Sequence, residues 1–528
     1  MNANRFTVAI SLVLFYPPLL FTQTPPVVWV AGSLQRVAPA DPAASGTQMQ
    51  LWAARGEYES FQIITRAPVG NDITNMSVSV SDLVGPGGQV ITKDNLTLYR
   101  EDYVYIGPNN GSPNWGGSNQ PQGPGWYPDG LIPFEDPATG LPISGAALTA
   151  VPYNLSASTN QPIWVDVFVP RNAVAGQYAG TYTVTSSQGS AEGQILLNVW
   201  NFSLPLQPSL KSSFGVWNSL NITTYETLLA NRLMPDYGSP YLSLPQQVTL
   251  TNSYGLSAVD LGFFSGAVYG DCQMSPAPSV SSLQAAVAAQ EPNIFLYNFT
   301  ADEIDDCTDL FSSVEQWARN LHAAGIDNLV TMGPTPELFD DGTGSGRSAV
   351  DIWAVLPDTY DADLNNVQLA LQKGNQVWSY NTEVQDAYSP KWEIDFAPIN
   401  FRIQPGFVNQ SLNLTGLLYW QVDRWSSDPW NDVFMIDDGE SLPGEGELVY
   451  PGSTVGILGV APSMRLKWLR DGVDDYDYIQ LLKQAGYGDW AMQIVRSIAP
   501  DWTNWTRDTN ALEAARLRLG QMLDSLAN

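Results

Sequence analysis

The sequence predicts a multidomain β plus α/β protein: an N-terminal β-sandwich followed by a (β/α)8 barrel, complete or partly degenerate, with C-terminal helices. Three observations lead there. At 528 residues the chain is too long for one ordinary core. From about residue 27 to residue 206 it reads as short alternating strands broken by turns, the pattern of a sandwich. After Leu204-Pro-Leu-Gln-Pro-Ser209, which has the composition of a linker, strands alternate with helices instead.

The chain opens with Met1-Asn-Ala-Asn-Arg5 and the apolar run Phe6 to Phe21, the charge-then-apolar order of a secretory signal. Pro17 and Pro18 in so short a run argue against a membrane anchor, so residues 1–24 are expected to direct a secreted or periplasmic protein. The sandwich, expected over 25–208, draws on segments such as Ser60-Phe-Gln-Ile-Ile-Thr-Arg66, Ile163-Trp-Val-Asp-Val-Phe-Val169 and Gln194-Ile-Leu-Leu-Asn-Val199. Residues 107–130, rich in Gly, Pro, Asn and Trp, are expected to form a long irregular loop that packs on a neighbour or carries function. The barrel, expected over 209–528, has seven candidate strands: Ser213–Trp217, Ala258–Phe264, Ile294–Phe299, Asn328–Met332, Val350–Trp353, Gln376–Tyr380 and Thr415–Trp420. Leu310 to Ala324 is a helix between two of them, and Ser463 to Ala485 and Thr509 to Ala527 close the chain as helices.

Composition excludes several kinds of function. With 53 acidic against 23 basic residues the net charge is −30, a surface that repels nucleic acid and anionic membranes. Neither a nucleic-acid partner nor stable membrane insertion after signal removal is therefore expected. A Ser-His-Asp triad would have to use the single histidine, His322, which lies away from any expected strand end; one histidine and two cysteines are too few for a transition-metal centre, and no Gly-rich phosphate loop joins a strand to a helix. No cofactor and no metal are expected. The two cysteines of an exported chain predict a Cys272–Cys307 disulfide. His322, on an amphipathic helix, reads as structural, and the acidic groups Asp305, Asp306, Asp309 and Asp471, Asp474, Asp475, Asp477 read as solvated turns or helix ends.

Carboxylates are then left to carry any chemistry. Asp302 and Glu303 end the apolar run Asn293 to Ala301, as when a strand delivers an acidic pair to a pocket. Barrel active sites gather at the C-terminal ends of the strands, a rule that places Trp217, Asp302, Glu303, Asp351, Trp353, Trp378, Tyr380, Tyr419 and Trp420 around one mouth. Aromatic faces for sugar rings and carboxylates for hydroxyls make this the composition of a carbohydrate site, with a glycan or glycoconjugate as partner. Any one of these tryptophans is equally well explained as barrel core. Neighbouring residues at a strand end approach a substrate from one side, which suits a substrate-assisted mechanism. One alternative is a conventional two-carboxylate glycosidase pairing Glu303 with Asp351 or Asp395; another is a noncatalytic carbohydrate-binding surface protein.

Several stretches resemble glycoside hydrolase family 123 and its relatives. They are Gly56-Glu-Tyr-Glu-Ser-Phe-Gln62, Asp302-Glu303, Val350-Asp-Ile-Trp353, Val377-Trp-Ser-Tyr380, Gly416-Leu-Leu-Tyr-Trp420 and Ser463-Met-Arg-Leu-Lys-Trp-Leu-Arg-Asp-Gly-Val-Asp-Asp-Tyr-Asp-Tyr478. The resemblance implies a sandwich, a (β/α)8 catalytic domain and β-N-acetylgalactosaminidase activity with substrate assistance, with the catalytic pair falling on Asp302 and Glu303. Arg402 joins the expected substrate-binding residues, in a region that departs from the family's Arg-rich pattern. Ile304 stands where the family usually has proline. The Arg470-Asp471-Gly472 motif is expected to serve structure, its helix packing on the barrel.

Overall fold

The computed structural model describes residues 24–236, 242–383, 386–437 and 439–527; all of the expected leader except Thr24 lies outside them. Alternation of apolar residues builds two facing sheets between residues 27 and 203. A five-stranded antiparallel sheet runs in the order Val27–Gly32, Tyr58–Arg66, Asn160–Phe168, Leu96–Ile106, Gly125–Pro133. The second sheet places Gly189–Ser203 between Gln48–Arg55 and Gly176–Ser186, the first of these pairings being parallel. Ile163 opposite Ile63 and Val165 opposite Phe61 point into the sandwich core and are fully buried. The alternate residues Gln62, Trp164 and Asp166 are just as buried, because the outer face of this sheet is covered by the long helix Met464–Gln484. Trp164 meets Trp468 edge-on there, ring centroids 6.5 Å apart.

The second part is a parallel barrel. Its strands are β1 (Lys211–Gly215), β2 (Pro235–Asp236), β3 (Ala258–Asp260), β4 (Phe295–Ala301), β5 (Asp327–Thr331), β6 (Ile352–Val355), β7 (Gln376–Tyr380) and β8 (Gly416–Tyr419). They pair in the order β2-β1-β8-β7-β6-β5-β4-β3, and among the described residues no ladder joins β2 to β3, so the barrel is nearly closed. β2 is the strand missing from the sequence reading: two residues led by proline carry no alternation to detect. Fully buried residues such as Leu329, Val330, Trp353, Ala354 and Leu417 fill the wall on both faces, as a parallel sheet under helices requires.

Salt bridges lock the two parts together. Lys467 and Arg470 on the long helix meet Asp166 of the sandwich at 2.7 and 3.1 Å, Arg465 meets Asp129 at 2.8 Å, and Arg516 meets Glu57. Arg470 also pairs with Asp471, so the Arg-Asp-Gly helix joins the barrel to the sandwich as well as packing on its own domain. The expectation that Asp471, Asp474, Asp475 and Asp477 are solvated is overturned. All four are buried, and the last three are held by Arg232 or Arg402. His322 bridges Asp341 and Asp351 at 3.2 and 2.9 Å, a structural position. Among the described residues no helix is long and apolar enough to cross a membrane.

Candidate active site

β4 ends in a way that re-aims the chain. Its pairing with β5 slips by one residue between Phe299 and Ala301, a bulge that ends regular alternation before the acidic pair. Glu303 then adopts φ of 49°, a left-handed conformation uncommon outside glycine and found where the surrounding structure imposes it. Thr331, the last residue of β5, holds the turn: its hydroxyl accepts from the Glu303 N–H at 2.7 Å and donates to Asp302 Oδ1 at 2.6 Å. The Asp302 N–H donates to the Ala267 carbonyl at 3.0 Å. A disulfide between Cys272 and Cys307 ties the loop after β3 to the segment that carries the pair.

Glu303 is half-buried and lines a cavity of about 120 Å³ with Tyr269, Asp305, Thr331, Met332, Leu356 and Tyr380. Burial, then the like charges of Asp302, Asp305 and Asp358, push its carboxyl up to about 7. Asp302 is also raised by burial, with the Thr331 hydroxyl acting in the opposite direction. The Tyr380 hydroxyl is held well above its usual range by burial and by the charges of Asp302, Glu303 and Glu445, and the residue lines the same cavity as Glu303. A larger crevice of about 300 Å³ lies between the sandwich and the barrel. Its buried charges are paired, Asp166 with Lys467 and Arg470, and Arg470 also with Asp471, so the smaller cavity is the one equipped for chemistry.

The other expected residues divide. Trp217 and Trp420, just past β1 and β8, meet edge-on with centroids 5.7 Å apart, and Trp217 is 60% exposed. Tyr419 lies beneath them, fully buried, its hydroxyl accepting from the Gly446 N–H at 2.8 Å. Trp353 and Trp378 are core rather than platforms. Trp353 packs edge-on against Phe339, and the Trp378 ring rests on Gly416, where a Cβ would come within 2.2 Å of it.

Asp351 is a correction of position: β6 starts at Ile352, so Asp351 sits before the strand, at the opposite end of the barrel from the pair. There it accepts from the Asn328 N–H and Arg347 and meets His322. Arg402 is a second correction. It lies on the helix Ile399–Ile403, 1% exposed, with its guanidinium on Asp475 and Glu513. Asp395 accepts from the Ser112 N–H at 2.8 Å and from its hydroxyl at 2.5 Å, a staple for the sandwich loop 107–124. That loop packs on the barrel, as Asn119 on Ser389 and Asn400 also shows.

Sequence reasoning passed over Thr331, Glu393 and Glu445. Glu445 and Glu393 are buried near the ends of β7 and β8, and each carboxyl is raised by burial, Glu393 also by the charge of Glu445. The only signal for Glu445 was its place in Pro443-Gly-Glu-Gly-Glu447, a turn with no strand or helix period. Among the described residues no group of three or more His, Cys, Asp or Glu could hold a metal ion.

A sandwich joined to a nearly closed (β/α)8 barrel, with carboxylates and aromatic residues at the strand ends, defines a carbohydrate-active enzyme class, and comparison with known proteins narrows it. The glycoside hydrolase 123 N-terminal domain matches residues 34–186 and the glycoside hydrolase 123 catalytic domain matches 357–482, between them more than half of the chain. The chain belongs to glycoside hydrolase family 123, and is a glycoside hydrolase. The catalytic-domain match begins after Asp302 and Glu303 and so does not bear on them.

A family 123 glycoside hydrolase from Clostridium perfringens, described in a study of glycolipid glycan hydrolysis, has a similar structure. Its TM-score is 0.66 at 14% identity, over 95% of this chain and 98% of that one. A β-glucuronidase from Parabacteroides merdae aligns over 86% of this chain and 51% of its own at 7% identity. Its TM-score of 0.27 is too low to inform the fold. No curated protein sequence matches.

Proposed function

We propose that this glycoside hydrolase cleaves β-linked N-acetylhexosamine, most specifically N-acetylgalactosamine, by a substrate-assisted retaining mechanism. The observation that carries the reading is the Asp302–Glu303 turn. Two consecutive carboxylates leave one strand end together, Glu303 in a left-handed conformation with its carboxyl near 7, while Asp351 and Asp395 are engaged elsewhere. The acetamido carbonyl oxygen of the sugar attacks C1 as the C1–O bond to the leaving group breaks. Asp302, as carboxylate, accepts the acetamido N–H and so directs that oxygen, and Glu303 gives its proton to the departing oxygen. Water then attacks C1 of the oxazolinium, the acetamido oxygen leaves C1, and the water's proton returns to Glu303. A carboxyl near 7 is protonated often enough at mildly acidic pH to act first as acid and, once ionised, as base.

Trp217 and Trp420 supply ring faces and Tyr380 a hydroxyl at the same mouth. We assign residues 1–24 to an export signal, 25–208 to the sandwich domain and 209–528 to the catalytic domain. The sheets between 27 and 203 and the barrel from Lys211 support the latter two.

The test is release of 4-nitrophenol from β-glycosides of N-acetylgalactosamine, N-acetylglucosamine and the plain hexoses, with Glu303→Gln alongside. Cleavage confined to acetamido sugars and lost in the variant is the expected result; cleavage of plain hexosides overturns the acetamido nucleophile. A glycolipid glycan, the subject of the Clostridium perfringens study, extends the panel to a longer substrate.

A further inference from the structure

Glu445 is presented by a turn with little freedom. Gly444 and Gly446 flank it with φ of +81° and +71°, conformations that L side chains rarely adopt. The Gly444 carbonyl accepts from Arg465 Nη1 at 2.6 Å and the Glu447 carbonyl accepts from Arg465 Nη2. Arg465 is fixed in turn by Asp129 of the sandwich, at 2.8 and 2.9 Å. From this support Glu445 Oε1 accepts from Trp420 Nε1 at 2.7 Å and from the Thr382 hydroxyl at 3.1 Å. The Trp420 ring also lies on Gly446, where an added Cβ would come within 2.7 Å of it.

The carboxylate is poorly placed for stability alone. Glu445 is 2% exposed, and its carboxyl is raised by burial, with the Trp420 indole and the Thr382 and Tyr419 hydroxyls acting in the opposite direction. Burying a carboxyl costs desolvation free energy that an apolar residue of similar volume would not. What it achieves is local: it fixes the tilt of one indole at the mouth, on β8, four strands round the barrel from β4.

We propose that Glu445 is a positioning residue for sugar binding, clamping Trp420 so that the Trp217–Trp420 corner stands preformed to receive the apolar face of a pyranose ring. The inference rests on the function proposed above. A platform ordered before the sugar arrives avoids the entropy of fixing an indole during binding, so its loss falls on affinity rather than on the chemical step.

The test uses the full-length enzyme and 4-nitrophenyl N-acetyl-β-galactosaminide. Glu445→Ala is expected to raise KM about tenfold with kcat within about threefold of wild type. Glu445→Gln, which keeps an acceptor for the indole, regains at least a threefold share of that loss. Gly446→Ala, which displaces the ring without touching the carboxylate, raises KM in the same direction. In a Trp420→Phe background Glu445→Ala adds less than about twofold. The ¹⁵N indole resonance of Trp420, assigned by its absence in Trp420→Phe, moves in Glu445→Ala whether or not a substrate is turned over. An unmoved resonance, or KM unchanged in an active Glu445→Ala enzyme, overturns the inference. A wild-type enzyme that cleaves no acetamido sugar, with the resonance still moving, overturns the proposed function instead.

Discussion

Two acidic clusters that look alike as sequence occupy opposite electrostatic situations. Asp471, Asp474, Asp475 and Asp477 lie on a buried helix, each within salt-bridge distance of Arg470, Arg232, Arg402 or Arg516. Asp302 and Glu303 are half-buried at a strand end and Asp305 beside them is exposed, with hydroxyl and backbone partners and no salt bridge to a basic side chain among the described residues. The comparison teaches that density of carboxylates says little; whether cations were supplied for them separates scaffold from candidate chemistry. Burial raises carboxyls in both clusters, Asp474 and Asp475 against the pull of Arg232 and Arg402, but only at the strand end is the raised carboxyl of Glu303 free of a cation and in contact with a cavity, which is useful to an acid–base catalyst and of no use to a girder.

The sharpest way to break the contrast is to remove one charge from each cluster. Glu303→Gln is expected to lower kcat/KM by about 10³-fold while the thermal midpoint is held or raised, measured by nitrophenol release and calorimetry. Arg232→Ala, which strands Asp474 and Asp477, is expected to cost roughly 3–5 kcal/mol in urea unfolding, with the remaining folded enzyme keeping its turnover. Asp302→Asn removes a director rather than the acid, and a fall in kcat on the order of 10²-fold is expected.

A weaker effect comes from pH. Because Glu303 must be protonated to act first, kcat/KM should decline as pH rises through about 7. A raised folded-state carboxyl also means that the unfolded chain ionises earlier, so its contribution turns against folding as pH climbs from 4.5 to 7. Glu303→Gln should therefore be more stable than wild type at pH 7.5, by roughly 1–2 kcal/mol after allowance for solvent at a half-buried side chain, and equal to it near pH 4. An advantage that persists at pH 4 would refute that account. The smallest effect belongs to Asp351→Asn: at the far end of the barrel it should leave kcat/KM within about threefold and cost about 1 kcal/mol by loosening His322 and Arg347.

Much of this architecture can be read before any coordinate. The alternation in Ile163 to Val169 and the strand-helix rhythm after Leu204 are direct consequences of where side chains must go, and so are the end of β4 and the packing of the irregular stretch after residue 107 on the barrel, although that stretch ends at a strand from Gly125 rather than at residue 130. Depth and boundaries were less legible. A parallel strand under helices is buried on both faces, so nothing in the sequence separates Trp353 and Trp378 in the wall from Trp217 and Trp420 at the rim. A two-residue difference in where β6 begins carried Asp351 from one end of the barrel to the other. Arg402 was invisible as scaffold because its partners, Asp475 and Glu513, are 73 and 111 residues away in sequence. Glu445 was missed because a glycine-flanked turn has no period by which to place it.

The ion pairs across the domain junction bear on how such enzymes can be rebuilt. Asp129 and Asp166 come from the N-terminal half, and the cations they neutralise, Arg465, Lys467 and Arg470, come from one helix of the C-terminal half. Neither half balances its own charge. A barrel expressed from residue 209 onward would inherit three cations stripped of these partners, and a borrowed sandwich without the two aspartates would fit no better. In protein engineering, then, the sandwich is a counter-ion for the barrel rather than an interchangeable module, and the unit of exchange is the entire two-domain chain.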